Sequence, residues 1–273
     1  MIAPVVGAGW TAAHRDELVL ADVRWYLDGR SGAAAYDAGH LPGAVFVELE
    51  AWLAAPASAE GGRHPLPDPA VFARGMGELG IGDGDTVVAY DDQGGGVAAR
   101  LVWMLRATGH AAALLDGGLA AWDGALETDA VRLPPATFTA RPWPADRLAD
   151  AGDAADPANA VIDARQRERF VGEAPDPVDP RSGHIPGARS LPTREHLGED
   201  GRLLAVEALR RRFEAAGIEG AARVVSYCGS GVTACHNLIV LEHAGLGTGR
   251  LYAGSWSQWS SDPARPIATG EDA

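Results

Sequence analysis

The sequence predicts an α/β protein built from two tandem domains, each a mainly parallel sheet flanked by helices. Three observations carry this expectation. One set of motifs occurs twice in the same order, short Val/Ile/Leu runs alternate with helical stretches in both copies, and a proline-rich segment separates the copies. Two copies of this length make a duplicated domain and not a solenoid, because each is long enough to close its own core.

The repeat begins with the strand Leu20-Ala-Asp22-Val-Arg24, matched by Val161-Ile-Asp163-Ala-Arg165. Gly39-His-Leu-Pro-Gly-Ala44 then recurs as Gly183-His-Ile-Pro-Gly-Ala188. Asp68 as N-cap, Pro69 in the first turn and Gly80 past the end predict a helix, with a counterpart over 205–217. Leu79-Gly-Ile81 matches Ala216-Gly-Ile218, and Thr86-Val-Val-Ala-Tyr90 matches Arg223-Val-Val-Ser-Tyr227. Leu115-Asp-Gly-Gly-Leu-Ala-Ala-Trp122 matches Tyr252-Ala-Gly-Ser-Trp-Ser-Gln-Trp259, so Trp259 reads as core and Trp256, in place of Leu119, as a cleft residue. Leu133-Pro-Pro135 and Arg141-Pro-Trp-Pro144 predict an extended crossing. The expected boundaries are a first domain over 1–138, a linker over 139–151 and a second domain over 152–273.

The repeat fails at one informative place. Aligned strands put Asp91 opposite Cys228, and the first-half loop Asp92-Gln-Gly-Gly-Gly96 is longer than its partner. An aspartate is no sulfur nucleophile, so the first half reads as non-catalytic and the site belongs to the second, in the cleft between the two. Cys228 follows a buried strand and precedes an apolar run, Leu238 to Leu241, that reads as a helix closed by Gly245. Gly229 and Gly231 free the loop backbone to turn its amides toward the sulfur, and the helix adds the positive end of its dipole. Such a nest favours a thiolate, or a thiolate carrying an extra sulfur, without a metal. Cys235, seven positions on, reads as core filler, and nothing else in the chain asks for a disulfide.

Composition bounds the partners. Two cysteines in 273 residues point to a reducing compartment, and a formal charge of −14 opposes binding to nucleic acid or anionic lipid. No window is long and uncharged enough to span a membrane, and no basic residue precedes the short apolar run at the N-terminus; the expectation is a soluble cytoplasmic protein. The eight histidines do not cluster with other ligand types, so neither a metal nor a cofactor is expected. His40 and His184 occupy the repeated motif in both halves, including the half without a nucleophile, and so read as structural.

These motifs together resemble the rhodanese-like sulfurtransferases in their two-domain form, over nearly the whole chain. The loop Cys228-Gly-Ser-Gly-Val-Thr-Ala234 is similar to that of the 3-mercaptopyruvate branch, whereas thiosulfate enzymes of the family place basic side chains there. Ala234 stands where related phosphatases and arsenate reductases carry an arginine. The resemblance implies a Cys228 persulfide, with pyruvate released and the sulfur passed to cyanide or to a thiol such as thioredoxin or a low-molecular-weight thiol. It implies that Gly229, Ser230, Gly231, Val232 and Thr233 form the binding loop, that Arg169 holds the donor carboxylate, and that Ser230, His64 and an acidic residue handle the proton. His64 lies in a first-half loop expected to reach across the cleft. Glu50 aligns with the acidic residue, with Glu48 as an alternative. The family's second arginine aligns with Pro177, and Arg181 is the candidate to replace it. Two rivals follow: a thiosulfate sulfurtransferase, and a persulfide carrier loaded by a protein donor, for which no carboxylate anchor is needed.

Overall fold

Short apolar strands alternating with helices generate two sheets of the same design. The first half contributes β1 (Val5–Val6), α1 (Ala8–Ala13), β2 (Leu18–Asp22), α2 (Gly32–Ala38), β3 (Val45–Phe46), α3 (Pro69–Glu78), β4 (Thr86–Tyr90), α4 (Ala98–Ala107) and β5 (Ala111–Leu115). These strands run in the order β1-β5-β4-β2-β3, all neighbours parallel. The second half contributes β6 (Leu148–Ala149), α5 (Ala151–Ala155), β7 (Ala160–Asp163), α6 (Arg167–Val171), β8 (Arg189–Ser190), α7 (Val206–Ala215), β9 (Val224–Tyr227), α8 (Ala234–His243), β10 (Arg250–Tyr252) and α9 (Ser255–Ser261). Its order is β6-β10-β9-β7-β8, again parallel throughout. The two sheets thus repeat the sequence duplication strand for strand. The computed structural model describes residues 2–271.

Central strands are buried on both faces, as crossover helices require: Val87 to Tyr90 of β4 and Val224 to Tyr227 of β9 are all buried. The cap signals hold for α3, where the Asp68 carboxylate accepts from the Ala70 amide at 2.7 Å and Gly80 follows the helix with φ +79°. Gly245 closes α8 in the same way, with φ +73°.

The repeated motif is a structural lock. In the first copy Arg24 chelates Asp22 and donates to the Gly39 carbonyl; in the second, Arg165 chelates Asp163 and donates to the Gly183 carbonyl. His40 Nδ1 donates to Tyr36 O at 2.9 Å and stacks on that ring; His184 Nδ1 donates to Phe170 O at 2.8 Å and stacks on Phe170. Both imidazoles are fully buried, so they fix the turn before the next strand.

The chain divides into two units whose borders differ from those expected. The first runs through Ala55, resumes over Leu66–Trp143 and includes Gly198–Leu203; the second comprises Pro56–Pro65, Pro144–Leu197 and the chain from Leu204 on. The crossing after Trp143 falls inside the expected 139–151 linker. That linker is more than a connection, since Leu148 and Ala149 pair with Leu251 and Tyr252 as the edge strand of the second sheet. Among the described residues, no helix is long and apolar enough to cross a membrane.

Candidate active site

Cys228 leaves the C-terminal end of β9 and enters a tight loop that ends at α8. The residue is 2% exposed, and the Gly231 amide donates to Sγ at 3.1 Å. Gly231 has φ +80°, and a methyl group built on it would lie 3.0 Å from the Ala253 Cα and run into that residue's carbonyl, so only glycine turns this amide to the sulfur. Val232 is buried and Thr233 precedes the first residue of α8. Cys235 is fully buried in α8, its thiol donating to Gly231 O at 3.4 Å, and both cysteines are free.

The start of α9 holds the loop from the other side. Trp256 N donates to Cys228 O and Ser257 N to Gly229 O, each at 2.9 Å. The Ser255 hydroxyl accepts from Cys228 N at 3.1 Å and donates to Tyr252 O at 2.9 Å. Ser255 is the one non-glycine residue with positive φ among those described, at 52°, a strain the surrounding bonds sustain. With the Cys228 and Gly229 carbonyls tied to α9, the loop turns the Gly231 amide onto the sulfur. From its place in the repeat, Trp256 is expected to line the cleft. The structure buries it completely, with its Nε1 donating to Arg181 O and the Arg165 guanidinium 4.6 Å over its ring, so it is core.

Of the side chains expected to handle the proton, Ser230 and His64 meet. Ser230 Oγ lies 2.8 Å from His64 Nδ1, and both side chains are buried. His64 belongs to the 56–65 segment that packs as part of the second unit. Glu50 lies in a π-helical turn, Leu49–Leu53, of the first unit; it is exposed, and its Oε1 accepts from Trp25 Nε1 at 3.2 Å. Glu48 directly precedes that turn.

Arg169, on α6, reaches the loop. Its Nε and Nη2 chelate Asp176 at 2.9 and 3.0 Å, and Nη2 also meets Asp179 at 2.7 Å. Its remaining nitrogen, Nη1, would lie 3.4 Å from a methyl group built on Gly229. Arg181 is engaged elsewhere. Its guanidinium donates to the carbonyls of Ser260, Arg265, Trp259 and Asp262, which makes it a cap on the last turn of α9 and the residues after it. With all three nitrogens bonded to carbonyls, it is not the second cation over the loop.

That place is taken by Arg63, which sequence reading missed. Arg63 Nη1 donates to Asp179 Oδ1, its backbone amide donates to Ser257 Oγ at 3.0 Å, and its Nη2 would lie 2.9 Å from a methyl group on Gly229. Two guanidinium edges therefore face Gly229, one residue beyond Cys228. The carboxylates behind them differ in their balance of forces. Burial pushes the Asp179 carboxyl up from its ordinary value against the pull of Arg63 and Arg169. Burial also opposes ionisation of Asp176, but the bonds from Arg169 and the amides of Val178 and Asp179 outweigh it and hold that carboxyl low.

Comparison with known proteins agrees with this architecture. The family model described as "Rhodanese-like domain" matches residues 8–125 and 145–262. A probable 3-mercaptopyruvate sulfurtransferase of Pseudomonas aeruginosa is 46% identical over 268 residues, covering 93% of both chains. A putative thiosulfate sulfurtransferase of Mycobacterium tuberculosis is 42% identical over 264 residues, covering 93% of this chain and 92% of its own. Among solved structures, 3-mercaptopyruvate sulfurtransferase from Leishmania major superposes with a TM-score of 0.85 at 31% identity, over 95% of this chain and 75% of that one.

Proposed function

The chain belongs to the rhodanese-like family, and from that premise we propose that it is a sulfurtransferase that takes sulfur from 3-mercaptopyruvate, holds it as a Cys228 persulfide and delivers it to a thiol or to cyanide. The observation that carries this reading is the pair of guanidinium edges at Gly229, beside a buried thiol that already accepts an amide hydrogen bond. A small donor with its sulfur at Cys228 brings its carboxylate to those edges, and arginine suits a planar carboxylate.

In the first step the Cys228 thiolate attacks the donor's sulfur. The S–S bond forms as the C–S bond breaks, and that electron pair passes to the donor's methylene carbon, giving the enolate of pyruvate. Ser230 supplies the proton that this carbon needs, and His64 restores it through the 2.8 Å contact between Nδ1 and Oγ. The loop amides stabilise first the thiolate and then the persulfide. In the second step an acceptor thiolate, such as that of thioredoxin or a low-molecular-weight thiol, or cyanide, attacks the outer sulfur and Cys228 leaves as thiolate. Two free cysteines, one of them the nucleophile, fit a reducing cytoplasm.

Thiosulfate is the second reading, favoured by the name of the Mycobacterium tuberculosis relative and by a cation pair that also suits a sulfonate. Sulfur loading followed by intact-protein mass spectrometry with either donor tests both. Arg169→Ala is expected to slow loading from 3-mercaptopyruvate by roughly 10- to 100-fold, the value of a charge-assisted pair, with Arg169→Lys between it and the unaltered protein. Undiminished loading of Arg169→Ala would identify a carrier that needs no carboxylate anchor.

A further inference from the structure

Building on that reading, we infer that Asp179, through its bridge between Arg63 and Arg169, sets the charge of the donor site and selects a singly charged donor over a doubly charged one. One Asp179 oxygen takes Arg63 Nη1 and the other takes Arg169 Nη2 at 2.7 Å, so a single carboxylate holds both guanidiniums in place. The Asp179 side chain is 1% exposed, whereas those of Arg63 and Arg169 are 27% and 17% exposed, so the carboxylate lies behind and the cations in front.

The surrounding charges balance. Arg165 chelates Asp163, and its Nη1 lies 3.6 Å from Asp176 Oδ2, whose carboxylate in turn chelates Arg169. Arg63, Arg165 and Arg169 are thus matched by Asp163, Asp176 and Asp179, and the site has no net positive charge to offer. A monoanion still gains from the two forward nitrogens, Arg63 Nη2 and Arg169 Nη1. Thiosulfate brings a second charge that nothing in the cluster offsets, and it approaches a thiolate. The 228–234 loop carries no Lys, Arg, Asp or Glu, so it supplies no cation to offset that second charge and its one ionised side chain is the Cys228 thiolate itself.

One unit of charge changed within several ångströms is felt once by the monoanion and twice by the dianion. At the effective permittivity of a partly exposed site the difference is roughly tenfold or more. Asp179→Asn keeps the shape and removes the negative charge, so the ratio of loading rates, thiosulfate over 3-mercaptopyruvate, should rise about tenfold or more. Arg63→Gln removes one positive charge and should move the same ratio the other way. The double variant Arg63→Gln/Asp179→Asn should return close to the unaltered value. General damage to the site would slow both donors together and would not reverse sign between the two variants.

The test measures these loading rates in the four proteins, together with the concentrations of pyruvate and of sulfate that half-protect Cys228 from alkylation by neutral iodoacetamide. Opposite shifts in both ratios support the inference. An unchanged ratio, or a shift in the same direction for both single variants, overturns it. If the unaltered protein loads from neither donor while the protection ratios still move in opposite directions, the sulfurtransferase reading falls and the charge-selection inference stands.

Discussion

At the scale of single residues, the loop at Cys228 is the easiest part to read in sequence and the side chains packed around it are the hardest. Cys228, with two glycines after it at a strand-to-helix turn, announces an anion nest in sequence, and the Gly231 amide on its sulfur is the local consequence. Gly231→Ala should therefore lower stability by about 2 kcal/mol or more, since the left-handed backbone and the Ala253 carbonyl both oppose a side chain. Thermal melting checks this, and an unchanged midpoint would contradict it. Arg63 escaped notice because a lone arginine in a Gly- and Pro-rich loop has no periodicity, and its position over Gly229 comes from folding. Arg181 was misjudged for the same reason: proximity along the chain to a missing arginine says nothing of which carbonyls the guanidinium will find. Ser255 gave no signal at all, because the strain in its backbone is set by the loop it restrains.

At the scale of elements, the two loops that follow β4 and β9 solve one problem in two ways. Asp91 stands where Cys228 stands in the other copy, and its carboxylate accepts from the amides of Gln93, Gly95, Val97 and Ala98, all at 2.8 to 2.9 Å. The first-copy nest is thus filled by the protein's own carboxyl group, which burial pushes up from its ordinary value against the pull of these amides. The alignment shows the exchange of cysteine for aspartate; it does not show that the replacement completes the loop. Asp91→Ala leaves four amides, three of them buried, without their acceptor and should cost about 3 kcal/mol or more, read as a lower urea midpoint. No change in midpoint would contradict the role. A second element-level prediction concerns His196, packed between α7 and α8 against Phe213, Asn237 and His236. Burial first, then His236 and Arg212, push its pKa down to about 3 from the ordinary 6.5. A folded-state pKa below the unfolded one means the imidazole contributes stability above about pH 6.5, lost as pH falls toward 3, by up to about 1.4 kcal/mol per pH unit. Urea titrations between pH 7 and 5 should show this slope, and His196→Gln should flatten it; an equal slope in both proteins would refute the assignment.

At the scale of the whole molecule, duplication was legible because both copies preserve strand, turn and motif order, and the sheets repeat that order strand for strand. Unit borders were less so. Residues 56–65 and 198–203 belong to the unit opposite the half that encodes them, and such loops carry no hydrophobic period to declare where they pack. The net charge of −14 has a consequence for turnover. With the donor site itself neutral, the field of the whole chain repels anionic donors, so raising ionic strength from about 0.01 to 0.15 M, which shortens the screening length from about 30 to about 8 Å, should speed loading. The gain should be larger for thiosulfate than for 3-mercaptopyruvate, and a fall in both rates with salt would contradict a neutral site. The most direct measurement of the central claim is a single turnover without acceptor, in which intact mass and released pyruvate are followed together after mixing with 3-mercaptopyruvate. The account predicts one sulfur atom gained per chain and one pyruvate released, both absent in Cys228→Ser; pyruvate without added mass, or added mass that survives in Cys228→Ser, would contradict it.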